Sequence, residues 1–123
     1  MKGKRVLVTG SGTGIGREVG LAFGREGATV VFHYSHSDEG AKSAVRELEQ
    51  RGGKATALPA DFRQLDEVFR LADQALEFLG GIDVLINNAG ITMNRPFEEV
   101  TPSQFETLYD VNVRGQFFLT QRL

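Results

Sequence analysis

Thr9-Gly10-Ser11-Gly12-Thr13-Gly14-Ile15-Gly16 follows the apolar run Val6-Leu7-Val8 and opens an amphipathic stretch. A strand that enters a glycine-rich turn and then a helix presents free backbone N–H groups and a positive dipole end to a phosphate. Glycine is needed there because side chains would hold a pyrophosphate away from the backbone. The spacing reads T-G-x-x-x-G-I-G with an added Gly12, rather than G-x-G-x-x-G, and no G-K-[ST] follows it. That absence argues against a nucleotide triphosphatase. Asn112 is a second candidate. An amide among Leu108, Tyr109 and Val113 on an otherwise apolar helical face costs free energy unless it is hydrogen-bonded. His33 and His36 are the only histidines. Two histidines without a third ligand make a poor zinc site, so no metal is expected.

The rest of the composition excludes several classes. The chain has 123 residues, 41% apolar and 24% charged, which suits one globular domain with a core. A net charge of −2 gives no reason to expect nucleic acid or an anionic membrane as partner. No apolar run approaches the roughly 20 residues of a membrane span. Val6-Leu7-Val8 is too short for a signal-peptide core, and with no cysteine there is no disulfide framework or thiol nucleophile. A cytoplasmic location is expected.

Apolar runs alternate with helical patterns along the chain. Arg5 to Thr9 reads as a buried strand, and Ile15 to Glu26 as a helix with Ile15, Val19, Ala22 and Phe23 on one face. Thr29 to Phe32 is a second β-rich run. Ser37 is placed to cap a helix carrying Asp38 and Glu39 in its first turn, with Ala41, Ala44, Val45 and Leu48 as its stripe. Ala55 to Leu58 is a third strand, ended by Pro59. Leu65, Val68, Phe69, Ala72, Leu76 and Leu79 mark the next helix, stopped by Gly80-Gly81. Ile82 to Ile86 is the fourth strand, and Asn87 to Glu99 reads as loop. Thr101-Pro102-Ser103-Gln104 is a capping box with proline at the first helical position.

The order βαβαβαβα with near-continuous apolar strands predicts an α/β fold: a Rossmann-type parallel sheet with helices on both faces. Residues 1–123 are read as the dinucleotide-binding N-terminal part of one such domain. The fourth strand would otherwise remain a bare apolar edge, and the last helix reaches Leu123 without a stop signal. The domain is therefore expected to be incomplete.

Thr9-Gly10-x-x-x-Gly14-Ile15-Gly16 and Asn87-Asn88-Ala89-Gly90 after the fourth strand together resemble the short-chain dehydrogenase/reductase family. Asp61 after the third strand and Asp110-Val111-Asn112-Val113 on the last helix extend the likeness over nearly the whole chain. The resemblance implies a cofactor-binding turn from Thr9 through Ser11, Gly12 and Thr13 to Gly16. In it Gly10, Gly14 and Gly16 approach the pyrophosphate, Thr9 braces the turn and Ile15 packs behind it. It implies that Asp61, with Phe62 beside it, meets the adenine amino group. Gln64 stands where the family often has a second Asp. Asn88, Ala89 and Gly90 would lie beside the riboses, and Asn112 would anchor a water in a catalytic proton relay.

Cofactor choice turns on the end of the second strand, where an acid would hold the ribose 2′-hydroxyl of NAD. That slot falls at Tyr34, Ser35 and His36, and no acid occupies it. NADP is therefore expected, with NAD the alternative. Thr13 stands where NADP enzymes of the family often carry a basic residue, leaving Arg17 and His36 as substitutes. The family's chemistry is hydride transfer between nicotinamide and a carbonyl or alcohol, using a Ser and a Tyr-x-x-x-Lys. Tyr34 and Tyr109 are the only tyrosines, and neither is followed by Lys four positions on. The expected partner is a small carbonyl or alcohol substrate. Ile91 to Phe97 resembles the segment in 3-oxoacyl-carrier-protein reductase-like and sugar-dehydrogenase-like members. Pairing through the third and last helices implies a homo-oligomer, dimer or tetramer, for the complete enzyme. The other readings are a non-catalytic dinucleotide-binding module and an inactive truncated product.

Overall fold

A computed structural model describes residues 1–123. Four strands, β1 (Arg5–Val8), β2 (Thr29–Tyr34), β3 (Ala55–Pro59) and β4 (Val84–Ile86), form one parallel sheet in the order β3-β2-β1-β4. The alternation of side chains along a strand sorts the core into two layers. Val6, Val8, Val30 and Phe32 face α1 (Gly14–Arg25) and α2 (Asp38–Gln50). Leu7 and Val31 face α3 (Leu65–Leu79) and the last helix. This is the α/β arrangement read from the sequence, with helices on both faces.

The last helix begins as α4 (Pro102–Tyr109), passes through a π-helical segment over Asp110–Gly115 and ends as α5 (Gln116–Arg122). Its capping box is formed: Thr101 Oγ1 accepts from the Gln104 N–H at 3.2 Å, and Gln104 Oε1 accepts from the Thr101 N–H at 3.0 Å. The sequence pattern gave no sign of the π segment, because i→i+5 bonding leaves little mark on side-chain periodicity. Ser37 precedes α2 but its hydroxyl caps nothing; Asp38 Oδ1 accepts from the Glu39 N–H instead. The fourth strand is shorter than Ile82 to Ile86. Asp83 leaves the ladder to pair with Arg5, accepting from its Nε and Nη2 at 3.0 Å each.

The inner face of α1 differs in part from the apolar stripe read from the sequence: Val19 and Phe23 pack against the core, but Ile15 and Ala22 do not. Ile15 is 77% exposed and Ala22 is also exposed, while Gly16, Gly20 and Leu21 are buried. Glycines let the helix axis approach the sheet more closely than the expected face Ile15, Val19, Ala22 and Phe23 would allow. A Cβ on Gly20 would lie 2.3 Å from Phe32 Cε1, and Phe32 itself is fully buried. Overpacking of a close-packed core costs about 1–3 kcal/mol, against about 1 kcal/mol gained from alanine's better helix propensity. Gly20→Ala should therefore lower stability by up to about 2 kcal/mol, read as a lower urea midpoint at unchanged m-value.

Candidate functional site

The carboxyl ends of β1 and β4 lie side by side, the position at which an open α/β sheet forms its ligand crevice. The glycine turn leaves β1 there. Gly10 has φ +61° and Gly14 φ +58°, the left-handed region that suits glycine. A Cβ on Gly10 would also lie 2.8 Å from Ala89 Cα. The turn is held from the β4 side by Thr9 and Asn88. Thr9 is fully buried, and its hydroxyl accepts from the N–H groups of Asn88 at 3.0 Å and Ala89 at 2.9 Å. Asn88 Nδ2 donates back to the carbonyls of Thr9 at 3.1 Å and Gly10 at 2.9 Å.

From the β2 side the turn is held by Ser11 and His33. The Ser11 N–H donates to the His33 carbonyl at 2.8 Å, and the His33 N–H donates to Ser11 Oγ at 2.9 Å. The N–H groups of Gly12 through Gly16 donate to no group of the protein. They form a row of free donors at the start of α1, where the helix dipole is positive. Gly12 is buried against Ser37, whose carbonyl would lie 2.7 Å from an added Cβ.

A cleft of about 250 Å³ opens beside the turn. Of the residues expected at a cofactor, Gly10, Ser35, His36, Asp61, Phe62, Ala89 and Gly90 line it. Thr9, Ser11 and Asn88 brace it from behind, and Thr13 to Gly16 form its neighbouring donor row. Tyr34 is not brought in: β2 runs on to include it, and its side chain packs with the α1–α2 layer. Ile15 is also turned away from the turn rather than packed behind it, because the glycine face of α1 takes the inner position.

Asn112 lies on the π segment, where its Oδ1 accepts from the Ile91 N–H and its Nδ2 donates to the Ile91 carbonyl, both at 2.8 Å. The helix face around it is more open than the sequence pattern implied, with Tyr109 54% and Val113 46% exposed. Both ends of the amide are nevertheless engaged. Its exchange with Ile91 docks the loop after β4 onto the helix.

The family model described as short chain dehydrogenase matches residues 4–123. The chain belongs to the short-chain dehydrogenase family. It is 41% identical over 121 residues to versicolorin reductase stcU of Emericella nidulans, covering 98% of this chain and 46% of that protein. Trihydroxynaphthalene reductase PfmaI of Pestalotiopsis fici is 36% identical, with 98% of this chain and 43% of that protein covered. Among solved structures, a short chain dehydrogenase from Burkholderia cenocepacia in complex with NADP superposes with a TM-score of 0.94 at 35% identity. That match covers 98% of this chain and 49% of the other. A blue fluorescent protein from a metagenomic library, in complex with NADPH, also gives 0.94, at 37% identity and 98% and 50% coverage. The chain thus spans about half the length of the relatives it matches.

Within this short-chain dehydrogenase frame, two cleft residues escaped the sequence reading. Arg63 lines the cleft and grips Asp61: its Nε donates to Oδ1 at 3.0 Å and its Nη2 to Oδ2 at 2.8 Å. This hydrogen bonding holds the Asp61 carboxyl below its ordinary range. The signal was a cation two residues beyond the carboxylate. Arg17, by contrast, is committed elsewhere, donating to the Gly40 carbonyl at 3.1 Å and Ser43 Oγ at 2.7 Å.

His33 is the other. It is 2% exposed, with Nδ1 2.9 Å from the Gly10 nitrogen and Nε2 2.9 Å from the Ala60 oxygen. An N–H can only donate and a carbonyl only accept, so the ring is neutral with its proton on Nε2. Strand alternation would have placed His33 on the Val31 face, but its partners come from distant segments.

Burial pushes the His33 pKa from 6.5 down to about 4, against the opposing pull of the Ala60 hydrogen bond. The unfolded chain therefore binds the proton more readily than the folded one. The stability linked to the neutral ring is present above pH 6.5 and lost as pH falls toward about 4. Its size is on the order of 3 kcal/mol. Urea unfolding followed from pH 7 to pH 4.5 should show this acid loss, and His33→Asn should lack it.

Proposed function

We propose that this chain is the cofactor-binding half of an NADP-dependent oxidoreductase that moves hydride between nicotinamide and a carbonyl or alcohol, acting as a ketoreductase. The observation that supports it best is the row of free N–H groups from Gly12 to Gly16 beside a cleft bordered by Asp61 and by Asn88 to Gly90. The donors suit a pyrophosphate in number and direction, and the bare Gly10 backbone leaves room for its approach. In this reading Gly14, Ile15 and Gly16 hold the pyrophosphate through their N–H groups. Asp61 and Phe62 hold the adenine end, and Asn88, Ala89 and Gly90 border the riboses. When bound, the nicotinamide supplies the hydride. Asn112 keeps the loop at Ile91 on the helix and is the candidate relay residue.

NADP is favoured over NAD because no carboxylate stands at Ser35 or His36 to repel a 2′-phosphate. His36 then remains as the basic side chain on that loop, since Arg17 is tied to α2. The NADP and NADPH complexes of the two structural relatives support the same preference. Fluorescence titration of the product of the native reading frame should give an NADPH affinity at least about tenfold above that for NADH. Binding of neither dinucleotide would overturn the proposal.

The remaining chemistry, a Ser and a Tyr-x-x-x-Lys, is assigned to sequence beyond these 123 residues. The intact mass of that gene product is expected near twice the 13.5 kDa of this chain; a mass of 13.5 kDa would leave nucleotide binding as the function. The same reading makes the complete enzyme a homo-oligomer. Phe105, Tyr109, Val113 and Phe117 recur every four residues along the last helix and are 46–63% exposed, an apolar stripe suited to a second copy. Tyr109→Glu should halve or quarter the mass seen by light scattering. An unchanged mass would count against this surface.

A further inference from the structure

His33 joins three segments of the cleft wall. Its main chain exchanges hydrogen bonds with Ser11, its Nδ1 accepts from the Gly10 N–H, and its Nε2–H donates to the carbonyl of Ala60, the residue before Asp61. The ring also packs against Phe62, with centroids 4.8 Å apart at 33°. Gly10 is the first residue of the phosphate turn, and its own carbonyl is held by Asn88 Nδ2. Gly10 is thus pinned at its N–H by the imidazole and at its carbonyl by the amide. Removing the acceptor from this part-buried N–H leaves that donor without its protein partner and the turn less firmly held.

We propose that His33 is a positioning residue for the dinucleotide: its ring, anchored on Ala60, holds the Gly10 N–H and so aims the phosphate turn into the cleft. The inference rests on the cofactor reading of this site. The Ala60 carbonyl has a specific part in it. By taking the Nε2 proton it selects the tautomer whose Nδ1 is free to accept. A protonated ring would set two donors against each other at Gly10. The charged groups on the surrounding elements are Asp61, Arg63 and Glu67 after β3, His36 after β2, and Asp110 and Arg114 on the last helix. Asp61 pairs with Arg63, Glu67 with Arg70 and Asp110 with Arg114, and none of them hydrogen-bonds to the ring. The glycine turn and the Asn88–Gly90 segment contribute no titratable group.

The test uses the product of the native reading frame, with His33→Asn, His33→Gln and His33→Leu. Asparagine keeps an acceptor oxygen close to the place of Nδ1, glutamine carries its amide toward Ala60 instead, and leucine keeps neither contact. Dissociation constants are measured for NADPH, which engages the turn, and for adenosine, which engages only the Asp61 end. The Gln and Leu variants should bind NADPH about tenfold more weakly, as the loss of one part-buried hydrogen bond implies. The Asn variant should stay within about threefold, and adenosine affinity should change by less than about threefold in all three. Equal NADPH affinity in the Asn and Gln variants would overturn the proposal, and this comparison decides it even if the Leu variant fails to fold. Parallel losses for NADPH and adenosine would overturn it too, since a general disturbance of the fold would move both. Failure of the unsubstituted protein to bind NADPH would overturn the cofactor reading instead.

Discussion

The seating of α1 on the sheet through glycine is the constraint on which the rest of this structure depends. Gly16 and Gly20 bring the helix backbone so near that a Cβ on either would meet a neighbour at 2.3 Å, Asn88 Nδ2 for the first and Phe32 Cε1 for the second. This approach places the first turn of α1 over the carboxyl ends of β1 and β4. The free N–H groups then sit next to the turn that borders the cleft. Leu21 stays buried and Val19 and Phe23 pack against the core, and the price is borne by Ile15 and Ala22, which are turned to solvent. An ordinary amphipathic helix would bury those residues and lift its N-terminus away from the crevice.

Once α1 is seated, the polar groups beneath the turn cannot reach water and must find partners in the protein. The three buried polar residues of the chain, Thr9, Ser11 and His33, all lie there, and each is hydrogen-bonded. A buried group left unpaired costs about 1–3 kcal/mol, so these contacts specify the turn strongly. The Asp61–Arg63 pair across the cleft is of another kind. Its side chains are 26% and 54% exposed, and a pair of that sort contributes about 0–1 kcal/mol. A ligand can exchange contacts with Asp61 at small cost, whereas the turn stays preformed. The cleft thus combines a rigid side at the glycine turn with an adjustable side at Asp61.

The two edges of the sheet differ for physical reasons. β3 ends in Pro59, which has no N–H to offer another strand, a common device at a sheet edge. β4 carries Val84, Leu85 and Ile86, all only half-buried and paired on one side with β1. No helix of the structure is long and apolar enough to cross a membrane. The free edge of β4 and the apolar side chains along the last helix are left uncovered within this chain. A chain spanning about half the length of its relatives is consistent with that.

The alternation of strands and helices, the parallel sheet, the glycine turn and the capping box at Thr101 were determined by the sequence alone, because each rests on local periodicity or on residues a few positions apart. The family likeness was legible for the same reason, since its motifs are short and ordered along the chain. Tertiary structure alone decided which face of α1 turns inward, because that depends on how near the sheet a glycine backbone can come. It alone decided the π segment around Asn112 and the pairing of that amide with Ile91, 21 residues away. It also decided the part played by His33, whose two ring partners lie 23 and 27 residues distant. A hydrogen bond between segments that meet only after folding leaves no spacing in the chain by which it could be read.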